Sequence, residues 1–155
     1  MKMNRLIAIM ALGTSLMAGC TKPEPEQELA QEAGYQGKLS VIEIGDALFE
    51  MENVRADYVL EGETLNVSLY DVSFSSKMPY PLSVVILPDV PYTKTGNRLT
   101  LSGTDIIPLM EVHGEKVPYD RYICTDLTGE ITTDKMVLSM KLGGFQTDYT
   151  GAVNP

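Results

Sequence analysis

Any chemistry in this chain would have to start from very few reactive groups. His113 is the only histidine, and the two cysteines are Cys20 and Cys124. A Ser-His-Asp or Cys-His arrangement needs an imidazole as its base, so such a site must use His113. That residue sits in Glu111-Val112-His113-Gly114-Glu115, where Glu111 and His113 would share one side of a strand and offer two metal ligands. Two more would have to come from elsewhere to complete a tetrahedral site, and Gly114 points instead to a turn carrying a solvated imidazole. No His-Glu-x-x-His, Cys-x-x-Cys or glycine-rich phosphate loop is present. Acidic residues are plentiful enough for a glycosidase pair. Acids on alternating strands are, however, ordinarily the wet face of a half-buried sheet, and nothing singles out two of them. The reading is therefore no catalytic residue, no metal and no cofactor.

Recognition chemistry is better represented. Pro118-Tyr119-Asp120-Arg121-Tyr122 gathers two aromatic rings, an acid and a guanidinium beside a loop, which makes Tyr119, Asp120, Arg121 and Tyr122 a candidate recognition rim. Met78-Pro79-Tyr80-Pro81, followed by Pro88 and Pro91, marks a stiffened, exposed loop able to gate a cavity. Turn chemistry is the plainer account of both. The tyrosines at 58, 70, 80, 92, 119, 122 and 149 could stack on sugar rings. Tyrosine is also an ordinary strand former with a polar tip, and that account is favoured.

The elements that would position these groups read as short strands. Met136 to Leu142 alternates apolar and polar residues and ends at Gly143-Gly144, as expected of a strand with one buried face. Arg98 to Gly103 alternates equally well. Thr64 to Phe74 puts Leu65, Val67 and Leu69 on one side and then switches to Tyr70, Val72 and Phe74; a β-bulge near Leu69 or Tyr70 would make that switch. Further strands are expected at 38–44, at 47–60 with an interruption near Val54 to Asp57, at 82–90 and at 121–131. Turn residues separate them at Glu61-Gly62-Glu63, at Lys94 to Asn97 and at Thr132-Thr133-Asp134. No helical period runs long enough for a βαβ unit. The fold class is all-β: a small antiparallel barrel of about eight strands, which closes off edges that a flat sheet would expose, with a sandwich as the alternative. Cys124 lies in the alternating run Tyr122-Ile123-Cys124 and is expected in the core, since free cysteine is among the most buried residue types.

The first twenty residues have a different texture. Lys2 and Arg5 precede an apolar run from Leu6 to Leu12 and small residues ending in Ala18, Gly19 and Cys20. That order is a secretion signal, and its apolar stretch is too short for a spanning helix, which needs about twenty residues. Leu16-Met17-Ala18-Gly19-Cys20 resembles the lipobox of lipoprotein signal peptidase, departing from it at Met17. The resemblance implies cleavage before Cys20 and lipid attachment to it. Thr21 in place of Asp leaves the inner-membrane retention signal absent, so the expected location is the cell envelope at the outer membrane. Residues 20–34 are rich in Pro, Glu and Gln and read as a lipidated flexible tether, with Glu24, Glu26 and Glu28 as its solvated charges and a helical turn conceivable around Leu29 to Ala33. The expected division is a signal peptide at 1–19, the tether at 20–34 and a barrel domain at 35–155. With Cys20 acylated, no intramolecular disulfide is available, so stability must come from packing.

Charge narrows the partners. The chain carries 21 Asp and Glu against 12 Lys and Arg, and losing Lys2 and Arg5 with the signal makes the mature balance more acidic still. Such a field repels nucleic acid and anionic lipid. About 135 residues remain after cleavage, a length suited to one domain.

Several segments in order carry a family likeness: Tyr35-x-Gly37-Lys38-Leu39-x-Val41, Asn66-Val67-Ser68-Leu69 leading to Val72-Ser73-Phe74, Met78-Pro79 followed by Val84 to Pro91, and Leu99-x-Leu101-Ser102-Gly103. With Leu127 to Ile131 and Lys135 to Leu138, they resemble the calycin-like β-barrel domain of lipoproteins from Gram-negative gut anaerobes. The resemblance implies a lipocalin-like barrel on a lipid anchor and supplies no catalytic or ligand residue. It departs from true lipocalins in lacking the Gly-x-Trp of the first strand, the chain having no Trp. The functional expectation is a non-catalytic binding module, with a membrane partner through its N-terminal lipid and a small apolar molecule, a glycan or a protein as ligand. It is supported by apolar residues on both faces of Leu82 to Leu87. The alternative is a structural or assembly lipoprotein working through protein contacts.

Overall fold

The computed structural model describes residues 28–153. The expected signal peptide, Cys20 and the expected tether up to residue 27 lie outside the described residues.

Ten strands follow one another: β1 (Glu32–Ile42), β2 (Leu48–Glu61), β3 (Thr64–Val72), β4 (Leu82–Thr95), β5 (Arg98–Gly103), β6 (Leu109–Val112), β7 (Glu115–Pro118), β8 (Cys124–Ile131), β9 (Lys135–Leu142) and β10 (Phe145–Val153). Eight of them, β1 to β5 and β8 to β10, close into an antiparallel barrel in which every neighbour in space is also the next barrel strand in sequence. The ring is completed by β1 against β10, with Tyr35 opposite Val153 and Val41 opposite Thr147. The β6–β7 hairpin is an insertion. It pairs with the first half of β4 through Val85–Met110 and Ile86–Leu109, above the stretch where β4 pairs with β5 at Tyr92–Thr95.

Alternation explains the closure. In β9, Met136, Leu138, Met140 and Leu142 are buried while Val137, Ser139 and Lys141 are not, and most of the other barrel strands send a similar apolar row inward. The rows merge into one core containing Leu39, Leu65, Leu69, Leu87, Leu99, Leu127 and Ile131. Tyr35, Tyr58 and Tyr149 are buried there too, their hydroxyls donating to the carbonyls of Thr132, Ala30 and Val54 at 2.8, 2.9 and 3.1 Å. Cys124 lies in the same core with no exposed surface. Side chains thus fill the barrel.

The two ends differ. At the base, β2–β3, β4–β5 and β8–β9 are joined by short turns at 62–63, 96–97 and 132–134, whereas long loops at 43–47, 73–81 and 104–123 cover the opposite end. We call that end the mouth.

Several expectations require correction. The chain is already extended before Gly34: β1 starts at Glu32, the Leu60 amide donates to the Gln31 carbonyl at 2.9 Å and Leu29 packs on the core. Residues 29–34 therefore belong with the barrel domain and not with the expected tether, and the stretch 29–33 is not a helical turn. The parity switch of β3 falls at Asp71, at φ +52° and next to Tyr70, while the pairing with β4 keeps its register there through Tyr70–Val84 and Val72–Leu82. The bulge lies on β4 instead, where Leu65–Val90 and Val67–Leu87 leave one extra residue. There Asp89 takes φ +52° and its amide donates to Asn66 Oδ1 at 3.0 Å. The break in β2 falls at Glu52–Asn53 opposite Lys38, not at 54–57. Residues 120–122 form a single 3-10 turn, so β8 begins at Cys124 and not at Arg121.

Candidate functional site

The mouth loops enclose a cleft of about 670 Å³. The β3–β4 loop contributes Phe74, Ser75, Lys77, Met78 and Pro79; the segment before β8 contributes Tyr119, Arg121 and Tyr122. These are the two segments whose residue types pointed to recognition, separated in sequence and joined here by the meander. The remaining wall comes from Glu43, Ile44 and Ala47 between β1 and β2 and from Phe145 at the start of β10.

Phe74 and Tyr122 form the floor, since both line the cleft and both belong to the buried core. Their ring centroids are 5.4 Å apart, and Tyr119 continues the cluster at 5.1 Å from Tyr122. Burial raises the Tyr122 hydroxyl above its ordinary pKa. A ligand would therefore lie across aromatic faces at the mouth, on top of a filled barrel.

Local hydrogen bonds hold the walls. The Tyr119 amide donates to the Pro108 carbonyl at 2.8 Å and the Tyr122 amide to the Tyr119 carbonyl at 3.2 Å, which forms the turn carrying Arg121. Gly143, at φ +59°, lies so close to the Arg121 carbonyl that a Cβ would sit 2.8 Å from it. Across the cleft, the Phe74 amide donates to Met78 Sδ and the Ser73 amide to Met51 Sδ, each at 3.2 Å. Glu43 ties the β1–β2 loop to the β3–β4 loop: its Oε1 accepts from the Ser76 amide at 2.7 Å and its Oε2 from the Ser76 hydroxyl at 2.8 Å. Hydrogen bonds from Ser75 and Ser76 hold the Glu43 carboxyl below its ordinary pKa. Glu43 is thus the one acid in the lining, and its charge is engaged within the wall.

Other candidates lie apart from the cleft. Asp120 and Tyr80 do not line it, although their neighbours do, and Tyr80 is 79% exposed. His113 and Gly114 are the turn of the β6–β7 hairpin, at φ +51° and +82°, so the imidazole sits at an exposed tip. Cys124 is buried, its Sγ 3.8 Å from Met140 Sδ, and burial pushes its thiol up to about 12. The thiol and the imidazole are therefore in different places and neither lines the cleft. Cys20 lies outside the described residues. A second depression, of about 650 Å³, marks the outer wall where Gly37 and Gly151 bare the backbone beside Lys38, Asn53 and Lys135. It offers no aromatic surface.

Glu43, Ala47, Phe74 and Phe145 had no signal as site residues in the sequence, because each reaches the mouth only through the ring order of the strands. No family model matches the chain, and no curated protein matches it. Among solved structures the chain is similar to a candidate outer membrane protein of Bacteroides fragilis NCTC 9343. The two are 14% identical with a TM-score of 0.49, over 80% of this chain and 50% of the other. The chain thus spans half the length of that protein.

Proposed function

We propose that the chain is a non-catalytic binding module of the bacterial cell envelope, with a lipocalin-like barrel held to the outer membrane by lipid on Cys20 and the mouth cleft as its binding site. One observation carries the reading: the Met78–Pro79 and Tyr119–Tyr122 segments, separated in sequence, converge on a single aromatic-floored cleft of about 670 Å³. Small-molecule sites are concave, mostly apolar and of about 300 to 1,000 Å³, and this cleft falls within that range. The non-catalytic part is supported by the separation of Cys124 and His113, which among the described residues keeps the one thiol away from the one imidazole. The described chain begins at the base, opposite the mouth, which suits an anchor that leaves the mouth free for ligand.

Native mass spectrometry of the full chain recovered from bacterial envelopes tests the binding role. A reproducible bound mass, lost in Tyr119→Ala, is the expected result; a consistently ligand-free mass counts against it. Replacing Cys20 with Ala tests the anchor, since the chain should then leave the membrane fraction.

The alternative, an assembly lipoprotein, draws on the exposed apolar residues around the mouth, Ile44 at 85%, Leu48 at 63% and Tyr80 at 79%. Isolated surface hydrophobics are ordinary, and only a contiguous patch marks a protein interface. In-cell crosslinking from position 44 or 80 to one dominant protein would favour that role.

A further inference from the structure

The charges at the mouth are unusual for this chain. Acids outnumber bases by 21 to 12, yet the cleft is lined by two cations, Lys77 and Arg121, and one acid, Glu43. Lys38, Arg55, Arg98 and Lys141 each have a carboxylate within salt-bridge reach. Among the described residues, Lys77 and Arg121 have none, nor do Lys94, Lys116 and Lys135, which lie outside the cleft. Glu43 feels the charge of Lys77, which helps lower its pKa, but it forms no ion pair with either cation and both its oxygens accept from Ser76. A cleft whose lining carries two cations to one acid above apolar rings is complementary to a molecule that is apolar at one end and anionic at the other.

We infer that the mouth cleft selects a small amphipathic anion, a ring-bearing apolar body with a carboxylate-type head, the body lying on Phe74, Tyr119 and Tyr122 and the head on Arg121 and Lys77. The inference rests on the binding reading above and adds the ligand class. Arg121 suits the head because its planar fork of donors matches the two oxygens of a carboxylate. Lys77 adds a mobile point charge from the opposite wall. The rings suit the body because aromatic faces pack best in offset or tilted contact with other flat groups. The acidic remainder of the surface opposes a polyanion or an extended anionic membrane, so the occupant is a single small anion that fits inside the cleft.

The test compares two probes of one shape and different charge, 2-naphthoate and 2-naphthamide, titrated calorimetrically into the full chain. Naphthoate should bind about tenfold more tightly, the scale of one charge-assisted hydrogen bond, and the margin should shrink as salt is raised. The double substitution Lys77→Gln and Arg121→Gln changes two exposed side chains and should weaken naphthoate by about tenfold and naphthamide by clearly less, so that the margin between the two probes closes. Equal binding of the two probes would overturn the charge selection and leave the cleft standing as a binding site. Binding of neither would overturn both. Cosedimentation with phosphatidylglycerol vesicles, without binding of free naphthoate, would assign the cations to a lipid headgroup and also overturn the inference.

Discussion

The ring of Phe74 lies 5.4 Å from that of Tyr122, tilted by 46°, and this pair joins the β3–β4 loop to the turn before β8. It is the aromatic contact between these two segments of the lining, which the ring order brings to the mouth with only β5 between β4 and β8. Tyr122 is only 8% exposed, so removing its ring opens a cavity beneath the mouth. Tyr122→Ala should cost about 3 kcal/mol, within the usual range for loss of a buried aromatic ring. Tyr122→Phe keeps the ring contacts and should stay within about 1 kcal/mol. Chemical denaturation of the two variants measures the difference, and equal costs would mean that the ring contact is not what holds the mouth.

The Tyr149 hydroxyl makes a different kind of link. It crosses the interior to donate to the Val54 carbonyl at 3.1 Å, and the phenol fills the space above Gly151. Val54 flanks the bulge in β2 at Glu52–Asn53. Tyr149→Phe should leave that buried carbonyl with one partner fewer and cost about 1 to 2 kcal/mol. Hydrogen exchange should rise around residues 52–56 more than at the mouth. Uniform acceleration throughout the barrel would instead indicate a general packing effect.

Legibility of the strands followed the contrast between their faces. β9 was plain in the sequence because its inward Met and Leu residues alternate with Val, Ser and Lys. β10 was not recognised, since its inward row is Thr147, Tyr149 and Gly151: a threonine satisfied by the Phe145 carbonyl and a glycine standing where the Tyr149 ring passes. The strands β6 and β7 were also missed, being four residues each and largely exposed, though their His113-Gly114 turn was legible. At the site, Tyr119, Arg121, Tyr122, Met78 and Pro79 were singled out by composition. That they face one another is a property of the ring order, which no local pattern encodes, and the Glu43–Ser76 contact likewise depends on it.

Glycine at position 37 is required by a close approach. A Cβ there would overlap the Thr150 carbonyl and the Gly151 backbone, where β1 and β10 complete the ring. Gly37→Ala should therefore destabilise by roughly 3 kcal/mol or more through forced separation of that strand pair. Gly62, in an open turn at φ +67° with nothing near it, provides the comparison. Gly62→Ala meets only the left-handed backbone penalty of about 1 to 2 kcal/mol. Thermal melts of both should place Gly37→Ala well below Gly62→Ala, and the reverse order would remove the β1–β10 contact as the sensitive seam.

Burial of Cys124 and the core tyrosines makes the barrel sensitive to alkali. The Cys124 thiol is pushed up from 9.0 to about 12 and the Tyr149 hydroxyl from 10.0 to about 12, both by desolvation. Tyr35 is raised further for the same reason, with Tyr58 and Asp134 adding to it. In each case the folded state holds a proton that the unfolded chain releases at lower pH. Their contribution to stability is thus complete below pH 9 and declines as pH rises from 9 towards 12. The denaturant midpoint should stay level up to about pH 9 as far as these groups decide it, then fall steadily. Cys124→Ala should remove the portion of the fall that sets in first, between the thiol and tyrosine ranges. The same burial predicts that, in a Cys20→Ser background, a thiol reagent modifies Cys124 only as fast as the barrel opens. Rapid labelling of the folded protein at neutral pH would place that thiol outside the core and remove its part of the alkaline transition.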